Sequence, residues 1–258
     1  MSFNGFLAAL GFLSRLGPAR RMENHELAEG LTLFPTIGLI LGMVVVLPFA
    51  YGFLPGHYWI QALVMLGGIL WLTRGLHWDG WCDVWDAWGS GADGESFFEV
   101  IKDSRAGAFG VIAVSMAVFG EIILFRHVLA IGAYQIVPWA LLLGRGSAGL
   151  LAVAARDLKR PGLAGAFLGH VRPWMIAPLL LQIIAAGAVF ATPTAGLLAI
   201  SLAAVGFFEL FRLAEKNGGL NGDFLGAAVI WGELSALAAW NLTGAVRNPG
   251  IMEWWAWF

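Results

Sequence analysis

The chain contains seven apolar stretches, each long enough to cross a lipid bilayer as a helix. About 20 mainly apolar residues are needed to cross a hydrocarbon core of about 30 Å. Only 12% of the residues are charged, against about 25% in a soluble domain. We therefore predict an all-α fold, a polytopic membrane helical bundle in which residues 1–258 form a single domain. The stretches run approximately Thr36–Leu54, Tyr58–Leu76, Ala106–Ala130, Tyr134–Ala155, Pro173–Ala191, Thr194–Leu213 and Phe224–Val246.

The segment Met1–Leu16 carries apolar residues at helical spacing but is too short to cross a bilayer. No basic region precedes its apolar residues, so we do not expect a cleaved signal peptide. We predict an interfacial amphipathic helix, with an ordinary packed helix as the alternative. The tail residues Trp254, Trp255 and Trp257 are typical of an interfacial aromatic anchor.

Positive charges fall almost entirely in alternate connections. If seven spans alternate, the N-terminal segment and the loops 77–105, 156–172 and 214–223 share one side of the membrane. The positive-inside rule makes that side cytoplasmic. The opposite side has Arg126 and Arg247. The cations of the rich side are Arg15, Arg20, Arg21, Arg74, Lys102, Arg105, Arg156, Lys159, Arg160, Arg172, Arg212 and Lys216.

Three aspartates at helical spacing follow the second apolar stretch. At 100° per residue, Asp79, Asp83 and Asp86 fall within about 60° of one another on a helix. Such charges repel unless a cation lies among them, and carboxylates suit Mg²⁺, which also binds substrate phosphates. The alternative is a solvated acidic face. Neighbouring tryptophans and the adjacent span favour a metal site for phosphoryl chemistry, and a lone cysteine, Cys82, excludes a multi-cysteine site.

A second polar motif, Lys102-Asp-Ser-Arg-Ala-Gly, precedes the third stretch. Lys102 and Arg105 can neutralise phosphate charge, and the helix start beyond them offers backbone amides at Gly107 and Gly110 to an anion. This arrangement predicts a diphosphate site. Alternatively, Asp103 or Ser104 caps the helix and the two cations set the topology. The candidate substrate-binding residues here are Lys102, Asp103, Ser104 and Arg105.

A third polar motif, Asn221-Gly-Asp, leads into the last stretch. Asp223 either contributes to the metal site, with Asn221 binding substrate, or only caps the helix. His77, beside Asp79, either orients a carboxylate or phosphate or is a structural interfacial histidine.

Arg145 lies within the fourth stretch, where an ionised side chain needs a partner or a wet cavity. A charged residue in such a place is by default functional, and Arg145 is therefore a candidate substrate-binding residue. The alternative is a structural ion pair. Its candidate partners are Glu121, Glu209 and Glu233.

Several blocks of this chain, in order, resemble the cobalamin synthase family, whose activity is that of an adenosylcobinamide-GDP ribazoletransferase. The resemblance is strongest in the three-aspartate segment 75–86, and it covers nearly the whole chain. The first block, Phe12-Leu-Ser-Arg-Leu, contains Arg15, which the resemblance makes a candidate substrate-binding residue. The other blocks are Phe34-Pro-Thr-Ile-Gly-Leu, Lys102-Asp-Ser-Arg-Ala-Gly, Arg145-Gly-Ser-Ala and Asn221-Gly-Asp-Phe-Leu-Gly-Ala.

The resemblance implies that α-ribazole, or its 5′-phosphate, attacks adenosylcobinamide-GDP and releases GMP. It implies Mg²⁺ as cofactor and a vestibule, lined by the tryptophans, for the corrin ring. It also implies a bacterial inner membrane with the active site facing the cytoplasm, and as partners the lipid bilayer, further copies of the chain and other corrinoid-assembly enzymes, but no nucleic acid.

Under this hypothesis each acid and cation has a role. Asp79, Asp83, Asp86 and Asp223 hold the metal ion. Asp83 deprotonates the ribazole hydroxyl, and Lys102 and Arg105 stabilise the remaining phosphate charge.

Two other functions compete with this one. A membrane phosphotransferase acting on a CDP-alcohol also uses helix-borne aspartates, but its pattern Asp-Gly-x-x-Ala-Arg followed by Gly-x-x-x-Asp-x-x-x-Asp is missing from this chain. An ion-coupled transporter would use Arg145 and buried glutamates as an ion pathway. That alternative leaves the acidic cluster at one side of the membrane unexplained.

Overall fold

The computed structural model describes residues 2–18 and 22–243, and the regular elements within those ranges are helices. The prediction of an all-α fold is confirmed. Arg20, Arg21, Val246, Arg247 and the proposed tryptophan anchor lie outside the described residues. The helices are α1 Phe3–Leu13, α2 Asn24–Gly30, α3 Phe34–Ala50, α4 Tyr58–Thr73, α5 Leu76–Gly89, α6 Glu95–Lys102, α7 Ala108–Ala130, α8 Ile136–Ala154, α9 Leu163–Leu168, α10 Ile176–Phe190, α11 Pro193–Lys216 and α12 Gly222–Leu242.

Six helical segments in the described part of the chain are long and apolar enough to cross a membrane, or seven if the bent pair α4 and α5 counts as one. Six of the predicted stretches overlap these segments and the seventh, Tyr58–Leu76, overlaps α4, so the prediction of a polytopic membrane bundle is confirmed. The six segments are Asn24–Ala50, Ala108–Ala130, Ile136–Ala154, Pro173–Phe190, Pro193–Lys216 and Gly222–Leu242.

The chain turns by 92° between α4 and α5. Arg74 and Gly75 both adopt left-handed backbone angles there, with φ of 58° and 68°. This conformation costs glycine little. The left-handed conformation of Arg74 is stabilised by its side chain, which donates to the carbonyls of Gly11 and Phe12 at 2.9 Å. Because of this turn, α5 leaves the direction of the span and packs across the first turns of α7 and α12.

Helix α8 forms the buried centre of the bundle, packed against α3 on one side and α12 on the other. A Cβ atom at Gly144 would lie 2.6 Å from the Val229 carbonyl of α12. A Cβ at Gly232 would lie 2.7 Å from the Gly144 Cα. Close approach of these backbones therefore requires small residues on both helices, as is usual in lipid.

Helix α1 packs on α2, with small residues and Leu13 as its buried positions. Gly5, Ala8 and Ala9 are buried, while Phe3 is 74% exposed. The predicted helix is present, and its amphipathic character and location at the bilayer interface stay predictions.

The loops that charge patterning assigned to one side meet at one end of the bundle. The Leu220 amide donates to the Leu158 carbonyl at 2.6 Å. Lys216 forms an ion pair with Asp93 at 2.6 Å. These contacts join the 77–105, 156–172 and 214–223 loops, as the alternation of spans requires.

Candidate active site

Helix α5 has a carboxylate face and a tryptophan face. Asp79 lines a cavity of about 280 Å³ together with residues of α12, and we call it the aspartate cavity. Trp81, Trp85 and Trp88 line two other cavities, of about 550 and 390 Å³. Trp81, Trp85 and Trp88 each follow an aspartate of α5 (Asp79, Asp83 and Asp86) by two residues, which is about 200° around a helix. The tryptophans therefore line cavities on the side of α5 away from the carboxylates, and their role as a vestibule for the corrin ring stays a prediction.

A close crossing of α5 and α12 brings two of the polar motifs together. A Cβ atom at Gly80 would lie 2.6 Å from the Asp223 carbonyl oxygen. One turn along α12, a Cβ at Gly226 would lie 3.3 Å from the His77 Cα. Backbone contact at these glycines puts Asp223 on the carboxylate face of α5. Asp79, Asn221 and Asp223 accordingly line the same cavity.

The four predicted metal ligands share one electrostatic environment. Partial burial, followed by the charges of Asp79, Asp223 and Asp86, raises the pKa of Asp83 to about 7. Among the described residues, however, no three acidic, histidine or cysteine side chains are arranged as a formed metal site. The carboxylates are neighbours, and they do not converge on one point in this conformation.

Asp86 forms bonds that the sequence did not indicate. Its carboxylate accepts hydrogen bonds from the amides of Gly107 and Gly110 in the first turn of α7, the second at 3.1 Å. A carboxylate at a helix N-terminus is stabilised by the amides and by the helix dipole. The expectation that these amides are open to a substrate diphosphate is therefore wrong in this conformation, because Asp86 occupies them.

The predicted phosphate-binding motif lies on the exposed loop between α6 and α7. The Arg105 guanidinium is 86% exposed and bonds Asp103 at 2.6 Å. That hydrogen bond lowers the pKa of Asp103 to about 2. Lys102 and Ser104 are exposed as well. None of the four residues lines the aspartate cavity, and their contact with substrate stays a prediction.

Asn221 and His77 both line the aspartate cavity. Asn221 donates to the Asp223 carboxylate at 2.5 Å and so orients it. His77 is only 5% exposed, and its Nε2 atom has no hydrogen-bond partner among the described residues. The ring is buried beside the cavity, and its contact with a substrate group stays a prediction.

Arg145 forms a buried ion pair with Glu233 of α12. The two side chains are 0% and 1% exposed, and fully buried Glu121 lies within electrostatic range of Arg145. Glu209 instead lines the larger tryptophan cavity. Arg145 has no exposed surface with which to contact a substrate. Its predicted substrate-binding role is corrected to the structural alternative.

Arg15 also has a structural place. Its Nε atom donates to the Trp71 carbonyl at 2.7 Å, and its guanidinium lies over the Trp71 ring at 5.5 Å. These contacts tie the end of α1 to the last turn of α4. Arg15 does not line the aspartate cavity, and its contact with substrate stays a prediction.

The structure adds one residue that sequence reasoning missed. Arg160 lines the aspartate cavity, although nothing in its local sequence separates it from the other loop cations. It reaches the cavity because Lys159 and Leu220 form an isolated parallel bridge just before Asn221. That pairing joins residues 61 positions apart in sequence, so no local sequence pattern indicates it.

Comparisons with known proteins cover almost the whole chain. The model of the family described as cobalamin-5-phosphate synthase matches residues 5–241. An adenosylcobinamide-GDP ribazoletransferase of Nitratidesulfovibrio vulgaris (strain DSM 19637 / Miyazaki F) is 42% identical over 238 residues, which are 91% of this chain and 94% of that protein.

Two further relatives carry the same name. The protein of Nitratidesulfovibrio vulgaris (strain DP4) is 37% identical over 90% of this chain and 95% of its own length. The protein of Syntrophobacter fumaroxidans (strain DSM 10017 / MPOB) is 37% identical over 81% of this chain and 84% of its own length. No solved structure matches this chain.

Proposed function

The chain belongs to the cobalamin-5-phosphate synthase family, and from this membership we propose that it is an adenosylcobinamide-GDP ribazoletransferase. It joins adenosylcobinamide-GDP to α-ribazole, or to the 5′-phosphate of α-ribazole, and releases GMP. The product is adenosylcobalamin or its 5′-phosphate. The reaction takes place at the end of the membrane bundle where the aspartates gather.

The contact of Gly80 with Asp223 is the structural observation that supports this function most directly. The contact joins residues 143 positions apart and brings Asp79 and Asp223, one from each acid-bearing motif, to the lining of one cavity. Asp79 is exposed and Asp83 half-buried, so both have access to a charged, water-soluble substrate.

The donor set fits a magnesium ion. It consists of carboxylates, which suit a hard cation, and Mg²⁺ is usually held by one or two carboxylates together with substrate phosphates. Asp79, Asp83 and Asp223 would hold it, with Asp86 as a fourth candidate ligand that here caps α7. When bound, Mg²⁺ supplies charge neutralisation at the diphosphate oxygens.

The remaining chemistry belongs to side chains of the chain. Asp83 accepts the proton of the attacking ribazole hydroxyl. The hydroxyl oxygen bonds to the phosphorus that remains on cobinamide, and the bond from that phosphorus to the GMP oxygen breaks. Lys102 and Arg105, on the segment that leads to Gly107 and its hydrogen bond with Asp86, neutralise charge on the phosphates as they approach.

The active site faces the cytoplasm of a bacterial inner membrane. Support comes from the basic loops, which gather at the same end of the bundle as the aspartates. Positively charged connections stay on the cytoplasmic side.

Purified protein in liposomes provides the test. Activated cobinamide and α-ribazole are supplied with and without Mg²⁺, and GMP and the completed corrinoid are measured together. Both products are expected, in equal amounts and only with the metal ion. Turnover of a CDP-alcohol instead would support the competing phosphotransferase, and solute flux without metal would support a transporter.

A further inference from the structure

Arg160 lines the aspartate cavity, and its side chain is held by contacts on three sides. Its Nη2 atom donates to both carboxylate oxygens of Glu95, at 2.8 and 2.7 Å. Its guanidinium lies 3.9 Å from the centre of the Phe98 ring. Its stem passes over Gly219, where a Cβ atom would collide with it. The guanidinium is therefore preorganised rather than free in solvent, with 18% of the side chain exposed.

Arg160 is the one arginine or lysine among the described residues lining that cavity. Asp79 and Asp223 line the same cavity. A phosphate approaching these acids meets repulsion unless a cation is also present. A planar guanidinium matches the geometry of a phosphate with two parallel hydrogen bonds.

Another anion can take the place of Glu95 as the partner of Arg160. Glu95 belongs to the first turn of α6, and its side chain is 76% exposed, so the ion pair has a solvated carboxylate on one side. Exposed pairs of this kind contribute little to stability. A phosphate dianion competes well with one solvated carboxylate for the same donor.

We propose that Arg160 binds a phosphate group of the substrate in this cavity, and that Glu95 holds the guanidinium in place when the phosphate is absent. This inference rests on the proposed function. Two phosphates of that reaction have the required chemistry, the diphosphate of the activated cobinamide and the 5′-phosphate of ribazole phosphate.

Steady-state kinetics of Arg160→Ala and Arg160→Lys provide the test. Loss of a charged hydrogen-bond donor to phosphate is expected to raise a Michaelis constant by about 10- to 100-fold, with a smaller rise for lysine. The value of kcat is expected to change less than KM. A rise for activated cobinamide identifies the diphosphate, and a rise confined to ribazole 5′-phosphate, absent with ribazole, identifies the 5′-phosphate.

Glu95→Gln is the matched variant, because it breaks the same ion pair and leaves the guanidinium. We expect its Michaelis constants to be unchanged or lower. Arg156→Ala removes one positive charge from the same loop region, where Arg156 pairs with Asp157, and is expected to leave all constants within twofold. If Arg160→Ala and Glu95→Gln lose activity alike, or if no Michaelis constant rises in Arg160→Ala, the proposal is overturned.

A binding measurement separates this proposal from the reaction itself. Inorganic pyrophosphate with Mg²⁺, if Arg160 binds the diphosphate, or inorganic phosphate, if it binds the 5′-phosphate, is expected to raise the Tm of the wild-type protein in detergent and to leave that of Arg160→Ala unchanged. Equal stabilisation of both proteins by each of the two anions would overturn the role of Arg160. Wild-type protein that binds pyrophosphate but forms no GMP would instead contradict the proposed function.

Discussion

The carboxylate of Asp86 accepts a hydrogen bond from the Gly110 amide at 3.1 Å, which fastens the last turn of α5 to the first turn of α7. Gly107 donates to the other oxygen. Asp86 therefore differs from Asp79 and Asp83, with which it shares a helix face. It links two helices, whereas the other two acids are open to substrate.

Replacing Asp86 tests this linkage. Asp86→Ala removes the acceptor for both amides, and we expect a loss of about 1–2 kcal/mol in the free energy of unfolding. Asp86→Asn retains one carbonyl oxygen and is expected to lose less. Thermal unfolding in detergent measures both variants. An unchanged Tm in Asp86→Ala would show that the amide contacts do not stabilise the fold.

Asp83→Asn tests the central carboxylate. It keeps the shape of the side chain and removes its charge and its capacity to accept a proton. We expect GMP release to fall by roughly 10²-fold or more, with membrane insertion intact. Asp157→Asn is the matched control, because Asp157 is 81% exposed in a loop at the same end. Near-normal GMP release by Asp83→Asn would remove Asp83 from the mechanism.

The contact between α5 and α12 can be tested at Gly80. An alanine methyl group there would lie 2.6 Å from the Asp223 carbonyl, so the two helices must separate. We expect a cost of about 1–3 kcal/mol in stability and a loss of turnover.

Gly67→Ala is the control for this substitution. Gly67 lies within α4, and a Cβ atom there has no neighbour within 4 Å. Alanine is expected to be neutral or to stabilise by about 0.5–1 kcal/mol, because it restricts the unfolded chain. Similar turnover in Gly80→Ala and Gly67→Ala would argue against close packing as a requirement of the site.

The ion pair of Arg145 and Glu233 predicts a non-additive pair of substitutions. Arg145→Leu leaves Glu233 buried without its partner, and we expect a loss of about 3–5 kcal/mol in stability. Adding Glu233→Leu removes the orphaned charge and is expected to restore part of the loss. A double-mutant cycle of unfolding in detergent measures the coupling. Simple additivity would contradict a pair that acts as one structural unit.

Metal removal tests the predicted cofactor. A chelator is expected to stop GMP release, and excess Mg²⁺ to restore it. Ca²⁺ should restore much less, because it is larger and prefers more ligands at longer distances. Helical content, measured by circular dichroism, should not change on chelation. Full turnover in the chelator would exclude Mg²⁺ from the reaction.

Much of the architecture was readable from local sequence. Apolar runs such as Tyr134–Ala155 give rise to helices because an unpaired backbone in lipid is too costly, and α8 follows that run within two residues at either end. The spacing of Asp79, Asp83 and Asp86 likewise placed three carboxylates on one helix face. The bend at Arg74 and Gly75 was not predicted, because a left-handed arginine depends on its contacts with α1.

The sequence by itself determined the helical membrane class, the basic end of the bundle and the acids of the site, because each depends on composition or on residues within a few positions of one another. Only the tertiary structure decided which groups meet. It places Asp223 and Arg160 at the same cavity as Asp79. It also buries Arg145 in an ion pair with Glu233. These pairings depend on where glycines allow distant backbones to touch, and no local pattern records that.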